Sequence, residues 1–173
     1  MKPLPSLLLG LALFLPATAR AWDPTGHLLV GEIAWRDLAP PAREKANALL
    51  AELDPRFNGG TPYHFVTAGC WMDDVRPDRA LAEWSRWHYV NGPWTPSGTP
   101  FVEPDPPHIL WALDRSLETL RSGTASRADA AQALGHLIHL IGDLHQPLHA
   151  TTWDDAGGNG YLIFGVDFTD LFP

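Results

Sequence analysis

Three imidazoles and a carboxylate fall within the eleven residues His139-Leu140-Ile141-Gly142-Asp143-Leu144-His145-Gln146-Pro147-Leu148-His149. That density of nitrogen and oxygen donors is the chemistry of a metal site. His139 and Asp143 are four residues apart, so on a helix both side chains project from one face and can grip one ion. Pro147 interrupts the helical ladder and frees His149 to serve a neighbouring ion or to close the site from another side. The alternative is a polar helix end carrying solvated histidines. It fits poorly with the flanking Leu134, Leu137, Ile138, Leu140, Ile141 and Leu144, which are too apolar for an exposed stripe and argue for a buried ligand helix.

Four further donors stand upstream: Trp22, His27, Asp73 in Trp71-Met72-Asp73-Asp74-Val75-Arg76, and His88 in Trp87-His88-Tyr89-Val90-Asn91. Each alone reads more readily as a surface or packed residue than as a ligand. The elements that must position them are helical. Leu29, Ile33 and Leu38 mark a helix over 26–38, and Pro40-Pro41 ends it and starts a second, whose stripe is Ala46, Leu49, Leu50 and Leu53. A short helix is expected at 66–76, before Pro77. Residues 91–107 are proline-rich and irregular. A helix over about 108–121 carries Ile109, Leu113, Leu117 and Leu120 on one side and stops at Gly123. Ser126-Arg127-Ala128-Asp129 resembles a capping box, with Asp in place of Glu, opening the ligand helix. A loop at 154–160 and a strand near Tyr161 to Val166 follow. The fold class is mainly α.

The 173 residues suit one domain. Lys2, the apolar run Leu7 to Leu15 and the small-x-small Ala19-Arg20-Ala21 form a secretory signal peptide, residues 1–21, so the expected product is secreted and starts at Trp22. No other apolar run could span a bilayer, and no stable membrane association is expected. Cys70 is the only cysteine, so no disulfide forms within the chain. A net charge of −8 excludes binding of nucleic acid by broad phosphate neutralisation, but not an enzyme that grips one phosphate through metal ions. Eight tryptophans are many for this length; Trp84, Trp87 and Trp94 stand near a candidate ligand, as core or as a stacking wall.

Trp22-Asp23-Pro24-Thr25-Gly26-His27, Trp71-Met72-Asp73, Trp87-His88-Tyr89 and the HxxGDxHQPLH pattern at His139 to His149, in this order, resemble the zinc-dependent S1/P1 nucleases. The similarity runs from Trp22 to about Asn159. It implies a mainly α, phospholipase C/P1 nuclease-like helical fold around three zinc ions. The implied activity is hydrolysis of single-stranded DNA and RNA to 5′-phosphorylated products, with 3′-nucleotidase activity, by a chain favoured to be monomeric. On the resemblance, Asp73, His88, His139 and Asp143 hold one zinc. Asp143 bridges to a second, held also by His27 and by the amine and carbonyl of Trp22, and His149 serves a third. Two bridged cations can lower the pKa of a shared water and stabilise the charge of the transition state. Asp73 and Arg76 are the implied catalytic groups, and Tyr89 and Asn91 the implied substrate-binding groups. Arg76 could instead be a surface arginine paired with Asp73 or Asp74, and Tyr89 could be core. His145 is expected to act by hydrogen bonding to a ligand rather than as one, and His64 and His108 to bind no metal; the position of His136 on the His139 face does not exclude it, but the family pattern gives it no role.

The pattern also departs from the family. The Asn-Leu-His-x-x-Trp-Asp segment that supplies the last ligands of the third zinc is absent after Gly157-Gly158-Asn159, and nothing in the spacing of Asp154, Asp155, Asp167 or Asp170 replaces it. The chain therefore reads as the N-terminal portion of a nuclease domain, 22–173, incomplete at the C-terminus, with weakened or absent activity. Asp23 stands where the family commonly has Gly. Two other readings stay open: a zinc-dependent phospholipase C, which shares the fold, and a non-catalytic zinc-binding fragment.

Overall fold

The computed structural model describes residues 17–18, 24–92, 100, 102–150 and 162–163. Helices dominate: α1 (Pro24–Asp37), α2 (Pro40–Leu50), the single turn α3 (Trp71–Asp74), α4 (Ile109–Arg121) and α5 (Arg127–Leu144). Two-residue strands β1 (Ala17–Thr18) and β2 (Leu162–Ile163) pair antiparallel, Ala17 opposite Ile163. The rest of the strand expected near Tyr161 to Val166, the 154–160 loop and most of the expected signal peptide lie outside the described residues.

Local chemistry explains the boundaries. Pro40 and Pro41 occupy the first turn of α2, where a missing N–H costs nothing. His108 caps α4 by accepting the Trp111 N–H at its Nδ1, 3.3 Å away, and Gly123 at φ 66° follows the helix end. Ser126 caps α5 by accepting the Asp129 N–H at 3.0 Å; its hydroxyl donates in return to Asp129 Oδ2 at 2.7 Å. The reciprocal bond thus goes to the serine hydroxyl rather than to a backbone N–H, because Asp is one methylene shorter than Glu.

Two expectations are corrected. The 66–76 helix divides into a 3₁₀ segment, Thr67–Cys70, and α3. Helix α1 forms where expected, but Leu29 and Ile33 are each 58% exposed; the buried face is His27 and Gly31. Gly31 sets that face: a β-carbon there would stand 3.2 Å from the Val66 carbonyl oxygen, so α1 approaches the 64–70 segment through its small residue. Ile141 of α5 is likewise 40% exposed.

Helix α5 packs against α1, α2, α4 and the 67–70 turn, and so runs through the centre of the fold. The core around it includes Leu50, Leu53, Tyr63, Trp71, Met72, Ile109, Ala112 and Leu140, all at most 3% exposed. A ten-residue 3₁₀ segment, Arg79–His88, closes one side. Its Leu81, Trp84 and Trp87 recur every third residue, the period of a 3₁₀ helix, and all three join the core.

Candidate metal centre

Five separate segments deliver donors to one buried point. α1 brings His27, α3 brings Asp73, the end of the 79–88 segment brings His88, α5 brings His139 and Asp143, and the turn Pro147–His149 brings His149. His27, His88, His139, Asp143 and His149 are each at most 7% exposed. Asp143 is the hub. Its Oδ2 lies 2.9 Å from His88 Nδ1 and 3.1 Å from His139 Nε2; its Oδ1 lies 3.3 Å from His27 Nε2 and 3.9 Å from His149 Nε2. Asp73 stands at the rim, its Oδ2 3.8 Å from His27 Nε2 and its Oδ1 4.0 Å from His88 Nδ1.

Glycines and a backbone carbonyl make this convergence possible. A β-carbon on Gly142 would stand 2.8 Å from His27 Nδ1, so only glycine lets the His27 ring reach α5, where it stacks on His139 at 4.0 Å. Gly69 performs two tasks. A side chain there would press on the His27 carbonyl at 3.0 Å, and its own carbonyl accepts the His139 Nδ1 proton at 2.6 Å. That bond turns Nε2 of His139 toward Asp143 and His88.

The electrostatics follow from burial and Asp143. Burial alone would raise the Asp143 carboxyl, but hydrogen bonds from His139, His27 and His88 hold it far below the usual carboxylate range. Burial resists charging His139, yet the carboxylate beside it lifts that ring above the ordinary imidazole range. Burial and the neighbouring His139 hold His88 below it, against the pull of Asp143. Burial likewise lowers His149, whose Nδ1 has no hydrogen-bond partner.

The donor set fits a divalent cation. His139 Nε2, His88 Nδ1 and Asp143 Oδ2 stand 2.9 to 3.1 Å from one another, out of water. With His139 neutral and its proton on Nδ1, its Nε2 offers a lone pair, and one proton on His88 cannot bridge all three contacts. A cation satisfies them together, and about 3.3 Å separates neighbouring ligands around a four-coordinate zinc with bonds of about 2.0 Å. Among the described residues two groups have ligand geometry, His88 with His139 and Asp143, and His27 with Asp73 and His139. Sharing His139 makes them one continuous cluster.

The other expected site residues are placed as follows. Arg76 is 55% exposed and its Nε lies 3.3 Å from Asp73 Oδ1. Tyr89 and Asn91 are half-buried beyond His88, and the Tyr89 carbonyl accepts the Ile109 N–H at 3.1 Å. Trp22 lies outside the described residues. His145 departs from expectation: it is exposed and its Nδ1 donates to the Ile141 carbonyl at 2.7 Å, so it caps its own helix and touches no ligand. His64 is exposed and His108 is the α4 cap.

His136 is buried but separate, among Trp71, Trp84 and Trp87, with ring centroids 5.2, 4.6 and 5.1 Å away. This cluster is adjacent in sequence to three of the donors. Trp71 precedes Asp73 by two residues, Trp87 immediately precedes His88, and His136 lies one helical turn before His139.

A profile of the S1/P1 nucleases matches residues 22–165. The chain belongs to the S1/P1 nuclease family. Endonuclease 1 of Arabidopsis thaliana is 29% identical over 167 residues, 88% of this chain and 52% of that protein. Nuclease P1 of Penicillium citrinum is 24% identical over 144 residues, 80% of this chain and 50% of its own length. The chain thus spans about half the length of the curated relatives it matches. In this S1/P1 family member the GD pair of the signature has a physical meaning. Gly142 admits the His27 ring, and Asp143 binds that ring and its three partners to one point.

Proposed function

We propose that this chain carries the zinc-binding part of a secreted phosphodiesterase that hydrolyses single-stranded DNA and RNA and removes 3′-phosphates from nucleotides. Residues 1–21 are its signal peptide, and Trp22 is the mature N-terminus, whose amine and carbonyl join His27 and Asp143 at one ion. Asp73, His88, His139 and Asp143 hold another, and His149 contributes to a third. Zinc bound there supplies Lewis acidity that makes water nucleophilic at neutral pH and neutralises charge on the phosphoryl oxygens.

The observation that supports this reading most directly is the convergence of four imidazoles on Asp143 in a buried site. The chain's own residues take the remaining tasks. Arg76, exposed beside Asp73, faces the phosphoryl oxygens with a fixed positive charge, and Tyr89 offers a ring on which any base stacks. Asn91, two residues beyond Tyr89, is the second substrate-binding residue of this reading.

Secreting the full chain, sequencing its N-terminus and counting zinc tests the assignment. Trp22 at the N-terminus and at least two tightly held ions are expected. Assays on single-stranded DNA, a 3′-nucleotide and phosphatidylcholine then separate the readings. Cleavage of the lipid with DNA left intact sinks the nuclease reading in favour of a phospholipase; zinc bound with no turnover of any substrate leaves a binding fragment.

A further inference from the structure

Asp73 and Asp74 are adjacent carboxylates on the four-residue turn α3, and only one of them faces the ligand cluster. A single helical turn does not hold its own geometry, since nucleation costs more than one turn returns. Trp71 and Met72 seat the turn in the core, and a tether on Asp74 itself fixes which carboxylate faces inward. Successive side chains on a helix diverge by about 100°, so fixing Asp74 in one direction fixes Asp73 in another.

From the geometry we infer that Tyr63 is the positioning residue of the metal site: its bond to Asp74 selects Asp73 as the ligand. The Tyr63 hydroxyl donates to Asp74 Oδ2 at 2.9 Å, and Tyr63 is only 2% exposed. Its own segment is anchored in turn, because the Phe65 N–H donates to Asn47 Oδ1 of α2 at 2.8 Å. A line of contacts therefore runs from α2 through Tyr63 and Asp74 to the turn that carries Asp73 and precedes Arg76. Asp73 is left directed at His27, His88 and Arg76. The role assigned to Asp73 rests on the proposed metal reading; the tether does not.

The test has a metal-free arm and a zinc arm, both on the full chain. Tyr63→Phe keeps the ring and removes the donor. It is expected to speed amide exchange over residues 71–76 without changing that of α5, and to weaken zinc binding, read by chelator competition, about tenfold or more. Asp74→Asn retains an acceptor oxygen and should stay near wild type in both readouts; Asp74→Leu should match Tyr63→Phe. If Tyr63→Phe does not fold, the Asp74 pair decides, and an Asp74→Asn as weak in zinc binding as Asp74→Leu overturns the tether. Zinc held equally by wild type and Tyr63→Phe also overturns it while the metal reading survives. A wild type that takes up no zinc, with 71–76 still loosened by Tyr63→Phe, overturns the metal reading and upholds the tether.

Discussion

His136 and His139 lie one turn apart on α5, at 6% and 0% exposure, and their surroundings give them opposite character. His139 has a carbonyl on one nitrogen and a carboxylate and an imidazole at the other. His136 has three indoles around it, and its Nε2 has no hydrogen-bond partner. Asp143 draws His139 above the ordinary imidazole range, whereas burial pushes His136 down to about 3. Burial, reinforced by repulsion from His139 and His88, therefore keeps a histidine neutral and inert. Burial with a buried carboxylate makes a site that calls for positive charge, supplied by protons or by metal.

Removing the carboxylate should break this contrast with the largest effect. Asp143→Asn leaves four imidazoles without their shared anion. Zinc affinity should fall by at least about a hundredfold, and the metal-free protein should lose about 3–5 kcal/mol, the usual consequence of breaking a buried ionic group. Chelator competition and urea denaturation measure the two. Unchanged zinc binding would remove Asp143 from the centre of the site.

The glycines sharpen the comparison next, because each half of α5 has one that admits a ring. A β-carbon on Gly142 meets His27 Nδ1 at 2.8 Å, and one on Gly135 meets Trp71 Cε3 at 2.7 Å. Either alanine should cost about 1–3 kcal/mol through overpacking. Their zinc readouts should diverge: Gly142→Ala displaces a ligand and weakens binding about tenfold, whereas Gly135→Ala lowers Tm and leaves binding nearly intact. A large loss of zinc affinity in Gly135→Ala would show instead that the indole cluster controls the ligand positions directly.

Acid gives the third contrast. His136 has a folded pKa of about 3 against an ordinary 6.5. Between these values the unfolded chain binds a proton that the native chain refuses, so stability is complete above pH 6.5 and falls as pH drops toward 3. By pH 5 the loss is about 2 kcal/mol. His136→Phe should abolish that loss and add about 1 kcal/mol at neutral pH by removing an unpartnered nitrogen. Urea melts of metal-free protein at pH 7 and pH 5 read both effects; an equal acid sensitivity in wild type and His136→Phe would assign it elsewhere.

Sequence patterns reached the helices better than the partners of individual side chains. Helices α2 and α4 and the start of α5 were legible from apolar stripes and from local punctuation, Pro40-Pro41, Gly123 and Ser126, because those signals act within a few residues. The 79–88 segment was missed although Leu81, Trp84 and Trp87 mark it, since a spacing of three suits a 3₁₀ helix and not the 3.6-residue period sought. The exposure of Leu29 and Ile33 depends on where Gly31 meets Val66, a contact between distant parts of the chain. For the same reason the Gly69 carbonyl and the Tyr63 tether left no motif: one is backbone, and the other joins Tyr63 to a carboxylate eleven residues away.

His145 supplies the smallest effect and the strictest control. It belongs to the same signature and is six residues from His139, yet it is exposed and bonded to the carbonyl of Ile141 in its own helix. If environment rather than motif membership assigns the role, His145→Ala should forfeit only a helix-end hydrogen bond. The expected cost is within about 0.5 kcal/mol, as for exposed substitutions generally, with zinc affinity and the acid response of His136 unchanged. A drop in zinc affinity as large as that of Gly142→Ala would show that the signature acts as one unit, and that the carboxylate alone does not separate the histidines that bind from those that pack.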